Sequence, residues 1–291
     1  MSWRTVVITK TSKLDYSLGF MVFRDVDSTV KIHIGEISVL IISSTSVSLT
    51  AYLLNELTKA KVKVIFCDEK SNPSSELTPY YGCHDCSIRL KRQIGWSDNA
   101  KKYIWTEIVC EKIRRQAQVL DAFGSDKSAK LLSYIDEIEF GDASNREGHA
   151  AKVYFNALFG MDFSRSQDNP INSALNFGYS LILSAINREV VCSGYVTELG
   201  LFHDNMFNKY NLSCDLMEPL RPLVDACVRR MNPQEFTKET KTELLKLLSS
   251  QVVVASRKFP LLGALKRYCD SVFNALEEKD ITLIDFIDYD L

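Results

Sequence analysis

The stretch Trp96-Ser97-Asp98-Asn99-Ala100-Lys101-Lys102-Tyr103-Ile104-Trp105-Thr106-Glu107-Ile108 marks a change in the character of the chain. Before it, apolar residues come in short β-branched runs. After it, they recur at helical spacing. Trp96-Ser97-Asp98 can start a helix that runs to about Phe123, with Ile104, Ile108, Ile113 and Leu120 among its apolar positions. Further helical patterns fit about 126–138, 144–159, 171–190, 217–231, 238–252 and 260–278. Upstream, Thr5-Val6-Val7-Ile8, Phe20–Phe23, Val30–Ile34, Val39–Ile42 and Lys63–Cys67 read as strands. Ser48–Lys59 reads as a helix, and Ser71-Asn72-Pro73-Ser74-Ser75 as a loop by composition. The expected fold is therefore α+β: a small β-rich N-terminal domain over 1–80, a connector over 81–96, and a larger all-α domain over 97–291. No internal repeat, Gly-rich phosphate loop or low-complexity tract is present.

The 291 residues, 46% hydrophobic and 25% charged, are those of an ordinary globular protein. The longest apolar runs are strand-sized, so no transmembrane helix is expected, and the N-terminus lacks the features of a signal peptide. The eight cysteines mostly sit in apolar surroundings and read as reduced core thiols of a cytosolic protein. A net charge of −2 argues against a uniformly basic nucleic-acid binder. Its distribution is uneven. Glu277, Glu278, Asp280, Asp285, Asp288 and Asp290 face only Lys279, a local −5, whereas residues 83–115 carry a local +4. A basic stretch can neutralise phosphates even in a slightly acidic protein.

Three dispersed residues attract attention. Glu147 would share a helix face with Ala150, Tyr154 and Leu158, where a carboxylate needs a partner. A metal ion is one such partner. Capping is another, since Ser144-x-x-Glu147 is a capping box. His203 follows Gly200 in a polar, linker-like stretch, as a metal ligand or as an ordinary hydrogen-bonded histidine. Glu218 and Asp215 lie near an expected helix start, marked by Pro219 and Pro222. There they suit the helix dipole and Arg221, or turn toward Glu147. Two carboxylates and an imidazole can hold one divalent cation with positions left for substrate oxygens.

The local words around these residues bring them together. Asn145-Arg146-Glu147-Gly148-His149-Ala150-Ala151-Lys152, Gly200-Leu201-Phe202-His203 and Asp215-Leu216-Met217-Glu218-Pro219-Leu220-Arg221-Pro222 resemble the glutamate helix, the histidine motif and the acidic motif of the CRISPR adaptation integrases, the Cas-one family. Trp3-Arg4-Thr5-Val6-Val7 and Val64-Ile65-Phe66-Cys67-Asp68 look like the N-terminal domain of the subtype that works with the large single-protein effector nuclease (type II). Many members carry Asp at the position of Glu218, but that subtype carries Glu.

The resemblance implies Glu147, His203 and Glu218 as catalytic metal ligands, Asp215 as an accessory acid, and Mg²⁺ or Mn²⁺ as the ion. It implies a metal-dependent endonuclease and integrase of the prokaryotic cytoplasm. The reaction would insert short foreign DNA fragments into a CRISPR array by 3′-hydroxyl transesterification. Implied partners are DNA (the spacer precursor and the repeat), a second copy through the N-terminal domain, and a bridging Cas-two dimer. Other adaptation proteins and the effector nuclease are implied as well; a membrane is not. The competing classes are a non-catalytic DNA-binding scaffold of the same fold and a general metal-dependent nuclease. Activity should fall with pH near the free imidazole value of about 6.5.

Arg89, Lys91, Arg92, Lys112, Arg114 and Arg115 read as phosphate contacts or as a solvated helix face. Arg146 and Lys152 flank Glu147 and are placed to bind the reacting phosphate. Tyr80, Tyr81 and Trp96 could stack on bases or pack a domain junction. His149 should point away from the apolar stripe. Cys83-His84-Asp85-Cys86 has the spacing of half a zinc site with no second pair nearby.

Overall fold

A computed structural model of the chain describes residues 4–69, 72–77, 79 and 84–289. Trp3, Tyr80, Tyr81 and Cys83 lie outside the described residues, so neither the stacking reading of the two tyrosines nor the half zinc site can be followed further. The chain divides into two compact units, Met1–Cys86 and Ser87–Leu291.

The first unit is built on Ile37–Ile42 (β5), whose six residues are all buried. A run with no polar face is what a strand covered on both sides requires. β5 pairs in parallel with Arg4–Ile8 (β1) and with Lys63–Cys67 (β7), and Pro73–Leu77 (β8) closes the edge antiparallel to β7. The crossover into β7 is the helix Ala51–Lys59 (α1). Thr50 caps it by accepting from the Leu53 N–H at 3.2 Å, and Leu53 and Leu57 fill the core. The second sheet has the order β4-β3-β2-β6, from Ser12–Ser17 (β2), Phe20–Arg24 (β3), Thr29–His33 (β4) and Val47–Leu49 (β6). Leu18 and Gly19, both at positive φ (47° and 86°), make the tight turn between β2 and β3.

The second unit is organised around Asp98–Ala122 (α3), 25 residues long and capped by Ser97. Its buried face carries Ile104, Trp105, Ile108, Val109, Ile113 and Leu120, but also Glu111, Lys112, Arg115 and Gln116. Around it lie Cys86–Ile94 (α2), Ser128–Ile135 (α4), Arg146–Phe159 (α5), Pro170–Cys192 (α6), Asn211–Met217 (α7), Arg221–Met231 (α8), Lys238–Lys246 (α9) and Leu261–Glu278 (α10). α3 packs directly on α4, α5, α8 and α10. At Gly178 of α6 an added Cβ would lie 2.4 Å from Val224 Cγ1, so α6 and α8 cross at backbone distance.

The unit is not all helical. Gln251–Val254 (β9) and Arg257–Pro260 (β10) form an antiparallel hairpin, so the helix expected over 238–252 stops at Lys246. β-branched Val252, Val253 and Val254 favour the strand, and Ala255 and Ser256 take the turn at φ 48° and 60°. Two further expectations shift. Within the stretch read as connector, Cys86–Ile94 is helical. Pro73–Ser75, read as loop, begins an edge strand, where a proline without an N–H is tolerated. None of the described cysteines forms a disulfide, and among them only Cys67 and Cys269 are buried.

Candidate metal centre

Glu147 is the second residue of α5, and the helix start is built by an acid further upstream than the sequence suggested. Asp142 accepts from the N–H groups of Arg146 at 2.7 Å and Glu147 at 3.1 Å. The chain reaches that position through Gly141, Asp142 and Asn145, all at positive φ. The capping box at Ser144 is not formed: its hydroxyl donates to the Glu137 carbonyl at 3.3 Å. The Glu147 carboxylate is thereby free of capping and closes on the Lys112 ammonium. The helix face is as expected, with Ala150, Tyr154 and Leu158 buried and His149 exposed.

Glu218 lies at the break between α7 and α8. The helix begins at Asn211, not at about 217, and Pro219 and Pro222 allow only the single turn Glu218–Leu220 before α8 starts. Glu218 is buried. One of its carboxylate oxygens accepts from Arg221 Nε at 2.8 Å and the other pairs with Lys112. Burial alone would push this carboxyl up, but the Lys112 and Arg221 cations outweigh it and hold it at about 2. Arg221 also lies over the Tyr179 ring, 4.7 Å from its centroid. The Tyr179 hydroxyl donates to buried Asp225, whose carboxyl burial pushes up to about 6.

His203 occupies a loop between α6 and α7 and is held there by Asp215. Asp215 is not at a helix start and is not directed at Glu147. It is fully buried inside α7, where Oδ2 accepts from the Leu201 and Phe202 N–H groups at 2.6 and 3.2 Å. Oδ1 accepts from the His203 N–H at 3.1 Å and meets Nδ1 of its ring at 2.6 Å. A carboxylate so engaged fixes the imidazole with Nδ1 as donor and Nε2 as the lone pair facing outward, which is the form a metal ligand needs. Asp215, expected as an accessory acid, thus makes its contacts with the His203 loop and ring. The bond to Asp215 raises the His203 pKa above its ordinary 6.5; burial opposes the rise, and the Asp215 and Glu218 charges add to it. Gly200 makes the arrangement possible: a Cβ there would lie 2.3 Å from the His203 carbonyl oxygen and 2.8 Å from Asp215 Oδ2. The Trp105 ring meets the His203 ring edge-on at 5.8 Å and stacks on Phe202 at 4.5 Å.

Two carboxylates from α5 and the α7–α8 break thus converge on one positive charge, and the Glu218 charge reaches the oriented imidazole of His203. The donor set suits a divalent ion of the first transition row as well as Mg²⁺. Among the described residues no three His, Cys, Asp or Glu donors meet at one point, and the cation between Glu147 and Glu218 is Lys112. The sequence had placed Lys112 among phosphate contacts at the surface. The signal it offered was its place between Val109 and Ile113 on a buried helix face, where an ammonium needs acidic partners. Asp142 and Asp225 were likewise missed as parts of the site, whereas the pairing of Glu218 with Arg221 is one of the readings the sequence offered.

The basic residues separate into two kinds. Arg115 is buried and paired with Glu111 at 2.6 Å and Asp288 at 2.5 Å, so it does not face solvent as a DNA contact would. Arg89 and Arg92 share Glu277 at 3.1 and 2.9 Å, and Arg89 also reaches the Tyr195 hydroxyl. Arg146 pairs with Glu137 at 2.9 Å and lies over the Tyr134 ring. Lys152 is exposed, with no ion-pair partner among the described residues. Trp96 packs inside the second unit, against Tyr195 and Phe273.

Residues 5–251 match the family model described as CRISPR associated protein Cas1. The chain belongs to the Cas1 family. It is 34% identical over 286 residues to the CRISPR-associated endonuclease Cas1 of Neisseria meningitidis serogroup C (strain 8013), covering 96% of this chain and 94% of that one. A second Cas1 relative, from Francisella tularensis subsp. novicida (strain U112), is 26% identical and covers 80% of each. Among solved structures, a casposase bound to integration product superposes with a TM-score of 0.77 at 16% identity, over 96% of this chain and 91% of that one. A Cas1 protein from Thermotoga maritima does so with 0.76 at 14% identity, over 94% and 97%. These two share the α+β Cas1 fold with this chain. No helix of the described residues is long and apolar enough to cross a membrane.

Proposed function

We propose that this Cas1 chain joins the 3′-hydroxyl end of a short DNA fragment to a phosphodiester at the end of a CRISPR repeat. The observation that carries the reading is the convergence of Glu147 and Glu218 on one cation, with His203, whose ring Asp215 orients, within electrostatic reach of Glu218. In the step, the 3′-oxygen forms a new P–O bond, the bond from that phosphorus to the repeat strand's 3′-oxygen breaks, and a 3′-hydroxyl leaves. The number of phosphodiesters is unchanged, so no energy source is needed. A divalent ion held by Glu147, His203 and Glu218 would acidify the attacking hydroxyl and neutralise charge on the phosphate oxygens. Arg221 secures the Glu218 carboxylate, and Asp215 holds the His203 ring proton on Nδ1, so that the neutral ring presents Nε2. Lys152, exposed on the helix that carries Glu147, is a cation that can hold a DNA backbone.

The Neisseria and Francisella relatives are named endonucleases, the casposase neighbour was solved with an integration product, and another neighbour of 0.74 TM-score is a Cas6-RT-Cas1–Cas2 complex. The Cas1–Cas2 neighbour supports Cas2 as a partner, and the proposal adds a homodimer through the N-terminal unit, bridged by Cas2 and acting in the prokaryotic cytoplasm. The test is strand transfer with a labelled 3′-hydroxyl fragment, a repeat duplex and purified Cas2, with and without Mn²⁺ or Mg²⁺. Joined product that needs the ion and is lost in Glu147→Ala and Glu218→Ala, with DNA binding retained, is the expected result. Cut but unjoined strands would indicate a general nuclease, and binding without either product a scaffold.

A further inference from the structure

Lys112 is the charge at the centre that the proposed reaction leaves without a role. It projects from the middle of α3, is buried, and closes on Glu147 and Glu218 at once. These carboxylates belong to different elements, and among the described residues no other side chain bridges them: Arg221 reaches Glu218 alone. Two acids and two bases make the group neutral as it stands. Two carboxylates held together without a counter-charge would repel each other in a poorly solvated site. A divalent ion bound by the same pair would compete with Lys112 for the oxygens it now contacts, and would leave the group with an excess of positive charge unless the ammonium moved. Lysine suits such an exchange, being a point charge on a flexible four-carbon stem. Arginine, with its planar fork, would be held by geometry.

We infer that Lys112 is a positioning residue that stands in for the divalent ion, holding Glu147 and Glu218 together until the ion displaces its ammonium. The displaced ammonium stays tethered beside the centre, where the charge it can meet next is a phosphate of the bound DNA. The inference rests on the metal-centre reading above.

Mn²⁺ binding to the full chain without DNA, followed by the electron paramagnetic resonance of free Mn²⁺, tests it. Lys112→Met should bind Mn²⁺ at least about tenfold more tightly than wild type, a conservative figure for removing a unit charge in contact with the site. Lys112→Arg should bind no more tightly than wild type. In EDTA the Met variant should melt below wild type, and Mn²⁺ should raise its Tm by more. In case that variant does not fold, wild-type protein can be labelled with acetic anhydride and read by mass spectrometry. Lys112 should be protected in EDTA and react several-fold faster with saturating Mn²⁺. Unchanged or weaker Mn²⁺ binding in folded Lys112→Met, or unchanged labelling while Mn²⁺ is bound, would overturn the exchange and leave the metal centre standing. Absence of any Mn²⁺ binding to wild type would remove the metal centre and the exchange with it.

Discussion

Asp215 spends both of its oxygens on the loop that presents His203, and so its contribution to chemistry is made through that ring. Asp215→Asn replaces one acceptor oxygen with an NH₂ that faces N–H donors. Loss of such a carboxylate behind a metal-bound histidine costs about 10- to 100-fold in affinity or activity. The expected result is a fall of that size in Mn²⁺ affinity and strand transfer, and wild-type Mn²⁺ affinity would show that His203 is not a ligand. Since Asp215 holds the imidazole proton above the ordinary 6.5, metal binding should weaken from a higher pH than the sequence alone suggested, and the onset should move down in Asp215→Asn.

Asp225 carries a separate pH signature. Its folded carboxyl sits at about 6, against an ordinary 3.8, so between those values the native chain keeps a proton that the unfolded chain releases. Stability contributed there is present below about pH 3.8, is lost as pH rises to about 6, and is level beyond. Wild type should therefore lose stability across that window relative to Asp225→Asn, by an amount of order a few kcal/mol. Denaturant midpoints at a series of pH values measure the difference, and parallel curves would contradict it.

At the scale of elements, the long helices were legible because period and length agree over many residues: α3, α5, α6 and α10 lie within a few residues of where the pattern put them. What was not legible depends on distant partners. The hairpin at 251–260 turns on Ala255 and Ser256, which carry none of the Asn or Gly signal of such turns. The acid that starts α5 is Asp142, outside any capping pattern, because a left-handed residue at Asn145 brings it back. Lys112 looked like a surface base because one sequence does not say which acids fold over it. The crossing of α6 and α8 is another long-range fact. Gly178→Ala should cost about 1–3 kcal/mol by overpacking against Val224. Adding Val224→Ala should return part of that loss. A double-mutant cycle in urea reads the coupling, and strict additivity would mean that the helices do not touch at this point.

Across the whole molecule, charge is arranged in ways the net value of −2 conceals. The basic stretch around residues 83–115 and the acidic end of the chain were read separately, as a DNA face and as an excess of acid. The structure pairs them: Glu277 takes Arg89 and Arg92, and Asp288 takes Arg115. Much of the local positive charge is therefore neutralised within the second unit, which narrows the surface that can release counterions from DNA. Lys152 remains exposed without an acidic partner among the described residues, close along α5 to Glu147. Lys152→Ala should lower the slope of log affinity against log salt by about 1, the value for one lost phosphate contact. Arg115→Ala should leave that slope unchanged and instead destabilise the fold by about 1–3 kcal/mol, because buried Glu111 then keeps Arg114 alone and Asp288 loses its cation. Fluorescence anisotropy over a salt series, with melting curves for both variants, separates the two effects. A reduced slope in a fully stable Arg115→Ala protein would place the DNA path along α3 and contradict this assignment.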